Sequence, residues 1–207
     1  MKKRAVIIVA FFLMLLSLNI GYAELPSKTK IDNIPSGKIY INPDAEQMLE
    51  LEKHIIESRI KAKQVALRDA GAGEDVKVEW LSTSYKWTGG YAGNQPPNGT
   101  RFQTGGAFFW SDNGGPSAST SISLSLPKPF NAVSVSINLG NSSSSGVMVN
   151  VPDTTNYYKL YIYKKLYIQP FAVYTRNTST GPWRLINVSA ARSVDAYSYT
   201  AFRVNFN

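Results

Sequence analysis

Cysteine is absent from this 207-residue chain, and histidine occurs only once, as His54. Without cysteine the protein forms no disulfide, has no thiol nucleophile and offers no sulfur ligand to a metal ion. One histidine and scattered acids do not make a zinc site, and no stretch has the acidic spacing of a calcium-binding loop. We therefore expect no metal ion and no cofactor.

Carboxylates are scarce in the second part of the chain. Residues 81–207 contain ten Lys and Arg but only three acids, whereas residues 24–80 contain nine bases and eleven acids. The C-terminal part is thus a basic body that attracts polyanions, such as an anionic cell-wall polymer, an acidic polysaccharide or an anionic lipid surface. A basic surface that serves only solubility is the alternative.

The three acids of this basic part are Asp112, Asp153 and Asp195. Two carboxylates could flank a glycosidic bond as acid and base, but Asp112 and Asp153 stand in turn sequences, where aspartate normally bonds its own backbone. His54 stands among helical charges without a convergent nucleophile, so we expect it at the surface. We predict a non-enzymatic protein with no catalytic residues.

Residues 1–23 have the order of a secretory signal: three basic residues, an apolar run from Ala5 to Leu16, and small residues at Gly21 and Ala23. The segment is close to the roughly 20 residues of a membrane span, but its small-residue ending favours cleavage over anchoring. We expect a secreted bacterial protein associated with the cell wall. Because export separates it from intracellular nucleic acid, we do not predict nucleic-acid binding.

Residues 24–41 are polar and carry Pro26, Pro35 and Gly37, which predicts a flexible arm. An amphipathic helix is predicted over residues 42–71, since Asn42 suits a helix cap and Gly71 suits a helix end.

Apolar residues recur in this helix at intervals of three and four. The main stripe is Met48, Leu51, Ile55, Ala62 and Val65, and it is widened by Leu49, Ile56, Ile60 and Leu67. Such a stripe predicts that the helix covers an apolar surface, either of the chain's own body or of the same helix in a second copy. Because Ser58 interrupts the seam, we favour packing on the chain's own body.

From Val76 onward the apolar period changes to two, with turn residues between the runs. This pattern predicts a mainly β domain over residues 76–207, an antiparallel β-sandwich or partly open barrel of about eight to ten short strands. The glycine-rich interval from Gly89 to Gly115 is predicted to form long loops.

One segment, residues 157–168, alternates aliphatic and aromatic side chains. As a strand it places Leu160, Ile162, Leu166 and Ile168 on the core face, and Tyr161, Tyr163, Lys165 and Tyr167 on the other face. Tyrosine rings stack on sugars and lysines meet anions, so the second set is the predicted ligand-binding site. The alternative is that these tyrosines merely pair across strands.

These features together predict a secreted non-enzymatic binding protein for an anionic or carbohydrate surface of the cell envelope. The alternative is a membrane-active toxin that inserts the serine-alternating hairpin of residues 119–126 and 131–139, because a membrane-spanning strand needs about 9 to 11 residues. An ordinary half-buried sandwich explains the same alternation. No oligomeric state follows from the sequence.

Overall fold

The computed structural model describes residues 38–69, 74–113, 115–177 and 180–206. The predicted signal segment, most of the predicted arm and the predicted helix end at Gly71 lie outside these residues. Within them the predicted fold class is confirmed, because strands dominate, the sheets are antiparallel and the one long helix comes before nearly all of the strands.

The elements follow one another closely except for one long connection, residues 92–106. In chain order they are β1 (Ile39–Ile41), α1 (Ala45–Asp69), β2 (Asp75–Trp80), β3 (Ser84–Tyr91), β4 (Ala107–Ser111), β5 (Ala118–Leu124), β6 (Val133–Ser143), β7 (Val147–Asn150), β8 (Tyr158–Arg176) and β9 (Arg184–Arg203).

Two antiparallel sheets pack against each other. One of them curls into a half-barrel. The first has the order β1-β9-β8-β2, with β3 also pairing with β8. The second has the order β5-β6-β4-β7. The first sheet is built on the hairpin of β8 and β9, whose strands are 19 and 20 residues long, so two strands are far longer than predicted.

The core lies between the sheets in two clusters, to which both sheets contribute. One contains Phe108, Trp110, Leu139 and Val149 with Leu160 and Ile162, and the other contains Leu124, Val133, Val135 and Ile137 with Leu166 and Ile168. The predicted inward face of residues 157–168 is therefore confirmed. The aliphatic side of the serine-alternating strands also lies in this core, and their serines point to solvent.

Two loop predictions are wrong in part. Residues 39–41, predicted as the end of the arm, form the edge strand β1 on β9, because β-branched and aromatic side chains favour a strand and the Tyr40 ring packs on Tyr199 of β9. The interval from Gly89 to Gly115, predicted as long loops, does form a long loop over residues 92–106, but it also holds β4 and the end of β3, where Gly89 and Gly90 pair with β8. Glycine weakens a strand but does not exclude it when a neighbouring side chain needs the space.

Helix α1 packs on the chain's own body, as favoured by the sequence. Its predicted cap is present, since Asp44 N donates to Asn42 Oδ1 over 3.2 Å. Ser193 Oγ of β9 donates to the carbonyl of Ala45 over 2.6 Å, and Arg192 N donates to Glu52 Oε2 over 2.7 Å. These contacts fix the helix on the outer face of the first sheet. None of the described helical residues forms a stretch both long and apolar enough to cross a bilayer.

The face that α1 turns toward the sheet is not the predicted main stripe. Ala45 and Leu49 are buried against β9, whereas Met48, Leu51 and Ile55 are exposed. Leu49, with the half-buried Ile56 and Ile60, thus makes the contact with the body, rather than the main stripe.

Candidate ligand-binding site

The predicted site on β8 lies beside a second row of residues on β3. Directly paired residues of neighbouring strands share a face of the sheet. The pairs are Tyr85 with Tyr167, Trp87 with Lys165, Gly89 with Tyr163, and Tyr91 with Tyr161. We call these eight residues the aromatic strip, and it lies on the outer face of the first sheet.

Rings of the strip contact one another across the two strands and along β8. The ring centroids are 4.5 Å apart for Tyr85 and Tyr167, 5.2 Å for Tyr91 and Tyr161, and 4.8 Å for Tyr161 and Tyr163. The tilted and edge-to-face angles of these pairs are those that aromatic quadrupoles favour. The rings therefore pack in two groups, Tyr85 with Tyr167 at one end of the strip and Tyr91 with Tyr161 and Tyr163 at the other.

Exposure differs between the two rows. Tyr161 is only 8% exposed because Tyr91, Tyr163 and Phe202 cover it, so the expectation that it faces solvent is wrong. Tyr163, Lys165 and Tyr167 are half-buried, and the exposed rings of the strip come from β3.

The β3 residues were missed by the sequence prediction because the glycines that follow resemble a loop. The signal that could have found them is the alternation of Tyr85, Trp87, Gly89 and Tyr91, which has the period of a strand.

Gly89 makes room for the rings of β8. A Cβ atom at this position would lie 2.7 Å from the carbonyl oxygen of Ile162 and 2.7 Å from Cε1 of Tyr161. These separations are well inside van der Waals contact, so the tyrosine layer requires glycine here. Gly89 is thus a structural part of the strip.

The charges around the strip differ at its two ends. At the Tyr91 end, Lys159 Nζ lies 5.1 Å from the ring centroid of Tyr91. At the other end, Tyr167 Oη donates to Glu46 Oε1 of α1 over 3.3 Å. Lys165, predicted to meet anions, also lies at this end, with Nζ 5.3 Å from the ring centroid of Tyr85, but its ion pair with Asp195 over 2.6 Å compensates its charge.

Four tyrosines of the strip, Tyr91, Tyr161, Tyr163 and Tyr167, have a raised pKa and are therefore neutral near pH 7. Burial, followed by the nearby Tyr163 and Tyr91 hydroxyls, raises the pKa of Tyr161 to about 12. The pKa of Tyr167 is raised by its hydrogen bond with Tyr85 and by desolvation. Uncharged phenols offer both a ring face for stacking and a hydroxyl for hydrogen bonding.

Concave space near the strip is limited. A cleft of about 240 Å³ lies between α1 and the strip and is lined by Glu46, Leu49, Tyr85 and Tyr167 among others. Another cleft of about 260 Å³ lies at the edge of β1, with Tyr40 and Met148 in its lining. Both are smaller than the roughly 300 Å³ at which small-molecule pockets begin. The strip therefore suits an extended ligand lying on a surface.

The carboxylates of the basic part are engaged in structural contacts. Asp153 accepts from Thr155 N and Asn156 N, so the predicted bonding to its own turn is confirmed. Asp112 forms an ion pair with Lys164 of β8 that the turn sequence did not predict. His54 is exposed on α1, as expected. In the described part of the chain, no group of three His, Asp or Glu is arranged to hold a metal ion.

In comparisons with known proteins, no family model, curated protein or solved structure matches the chain. The function is therefore inferred from the geometry of the molecule itself.

Proposed function

We propose that the protein is exported and binds an anionic or carbohydrate polymer of the cell envelope through the aromatic strip, without catalysing a reaction. One observation carries the proposal: rings of β3 and β8 form a layer on the outer face of the sheet, and Tyr85 and Tyr91 of that layer are exposed. The secretory order of residues 1–23 supports export, and the basic body supports attraction to an anionic surface.

The dimensions of the strip favour a polymer over a small molecule. Residues 85–91 extend over about 20 Å, since a strand rises by about 3.3 Å per residue. Sugar rings stack on the exposed phenol faces, and the hydroxyls of the rings offer hydrogen bonds along the same line. Because the layer is already packed in the free protein, little side-chain entropy is lost on binding.

The asymmetric charges give the bound polymer a direction. Lys159 beside Tyr91 attracts an anionic substituent, whereas Glu46 beside Tyr167 repels one. Anionic groups of the polymer therefore lie at the Tyr91 end, and neutral sugar rings lie toward Tyr85.

Sedimentation with purified cell walls tests this proposal. We expect the double variant Tyr85→Ala with Tyr91→Ala to bind walls at least about tenfold more weakly, because stacking residues dominate such contacts. Tyr40→Ala is the matched control: Tyr40 is 41% exposed against 40% for Tyr91, but it lies at the edge strand outside the strip.

A salt series separates charge from stacking. At about 1 M salt the screening length is about 3 Å, so the contribution of Lys159 should vanish while stacking persists. Lys159→Ala should therefore flatten the salt dependence of wall binding.

Unchanged wall binding by the double tyrosine variant would reject the site. Dye release from liposomes by the wild-type protein, without wall binding, would instead support the membrane-active alternative.

A further inference from the structure

The outer side of α1 carries an apolar stripe that faces solvent. Met48, Leu51, Ile55 and Val65 are between 42% and 60% exposed, although the opposite side of the helix is packed on β9. Aligned apolar side chains of this size, rimmed by charged residues, mark an interaction surface.

The spacing of the stripe is that of a helix–helix seam. Positions 48, 51, 55, 58, 62 and 65 follow one another at intervals of three and four. This is the a/d pattern by which two helices pack with interlocking side chains. Ser58 and Ala62 are small and allow a close approach at the middle of the seam. The surface is thus shaped for another helix.

The charges of α1 identify which helix fits. The first half is acidic and the second half is basic, with Lys53 and Asp69 as the exceptions. The acids are Glu46, Glu50, Glu52 and Glu57, and the bases are Arg59, Lys61, Lys63 and Arg68. Glu46, Glu52 and Glu57 also accept hydrogen bonds from the chain's own body, at the Tyr167 hydroxyl, the Arg192 N–H and the Trp80 indole, so the acidic half acts on a partner through its field rather than through free carboxylates. A second copy lying antiparallel places acidic halves against basic halves, whereas a parallel copy places like charges together.

We propose that two copies of the chain associate through the outer stripe of α1, as an antiparallel helix pair with two-fold symmetry. The self-complementary arrangement is the isologous contact expected of a symmetric dimer. Opposed positions are Met48 with Val65 of the partner subunit, Leu51 with Ala62 of the partner subunit, and Ile55 with Ser58 of the partner subunit. This association is independent of the ligand of the aromatic strip.

The first test is the mass in solution by sedimentation equilibrium, over a concentration series that reaches the micromolar range. The wild-type protein should show twice the monomer mass, and Leu51→Glu should weaken association by at least about tenfold. Met148→Glu is the matched control, since Met148 is 58% exposed against 60% for Leu51 but lies on β7. Because Leu51 is exposed, circular dichroism of the variant should stay native. A wild-type monomer throughout the series would overturn the proposal.

The second test uses the absence of cysteine to determine the orientation of the helices. In the antiparallel pair, Met48 of one subunit lies opposite Val65 of the partner subunit. It is therefore about 26 Å along the helix axis from Met48 of the partner subunit, since a helix rises by about 1.5 Å per residue. A disulfide requires Cα atoms within about 7 Å. Met48→Cys should therefore not cross-link with itself, but should cross-link with Val65→Cys when the two variants are mixed. Self-cross-linking of Met48→Cys would overturn the antiparallel arrangement.

Discussion

At the scale of single residues, Asp153 shows how one carboxylate can organise a turn. Its Oδ1 accepts hydrogen bonds from Thr155 N over 2.8 Å and from Asn156 N over 2.9 Å, and its Oδ2 accepts one from the Tyr158 hydroxyl. The bond from Tyr158, followed by those from Asn156 and Thr155, favours the ionised form, so the pKa of Asp153 lies well below its usual range. The turn leads directly into β8, which begins at Tyr158.

The lowered pKa of Asp153 has a consequence for stability. A carboxyl group whose pKa is lower in the folded protein stabilises it above the ordinary pKa near 3.9, and this contribution is lost as the pH falls. Asp153→Asn should therefore lower the free energy of unfolding at neutral pH and flatten its decline between about pH 5 and pH 2. Urea denaturation at a series of pH values measures this. Parallel profiles for wild type and variant would contradict the assignment.

At the scale of elements, α1 has two apolar faces with different energetic roles. Leu49 is buried against β9, whereas Leu51 is exposed two residues later. Leu49→Ala should lower the free energy of unfolding by about 2 to 3 kcal/mol, because it removes buried methyl groups and leaves a cavity. In monomeric protein, kept dilute, Leu51→Ala should change it by less than about 0.5 kcal/mol. Equal effects of the two substitutions in urea denaturation would contradict the packing described here.

The same helix shows what the sequence could and could not predict. Its existence and its cap at Asn42 follow from local patterns, because both depend on neighbouring residues. Its contact face does not, since both sets of apolar residues have helical spacing and only the position of β9 decides between them. The aromatic strip was also predicted only in part. The outward face of β8 was predicted, but the cover over Tyr161 was not, because it is Tyr91, which lies 70 positions earlier in the chain. Strand pairing at such separation leaves no local signal.

At the scale of the whole molecule, an ion pair connects the two sheets. Lys164 of β8 is only 2% exposed, and its Nζ lies 2.9 Å from Oδ1 of Asp112, which directly follows β4 of the opposite sheet. The same Nζ lies 5.4 Å from the ring centroid of Trp110 and 5.3 Å from that of Tyr197. Two rings and one carboxylate therefore replace the water that a lysine ammonium would otherwise keep.

The two partners of this pair should respond differently to substitution. Asp112→Ala leaves a buried ammonium without its counter-charge and should lower the free energy of unfolding by about 2 to 3 kcal/mol. Lys164→Met removes the buried charge while keeping a long apolar side chain between the clusters, so it should be close to neutral. In the Lys164→Met background, Asp112→Ala should then cost little, and urea denaturation of the two single variants and the double variant measures this coupling. Equal destabilisation by Lys164→Met and Asp112→Ala would contradict this prediction. It would mean that the ammonium itself contributes net stability through its contacts with Trp110 and Tyr197.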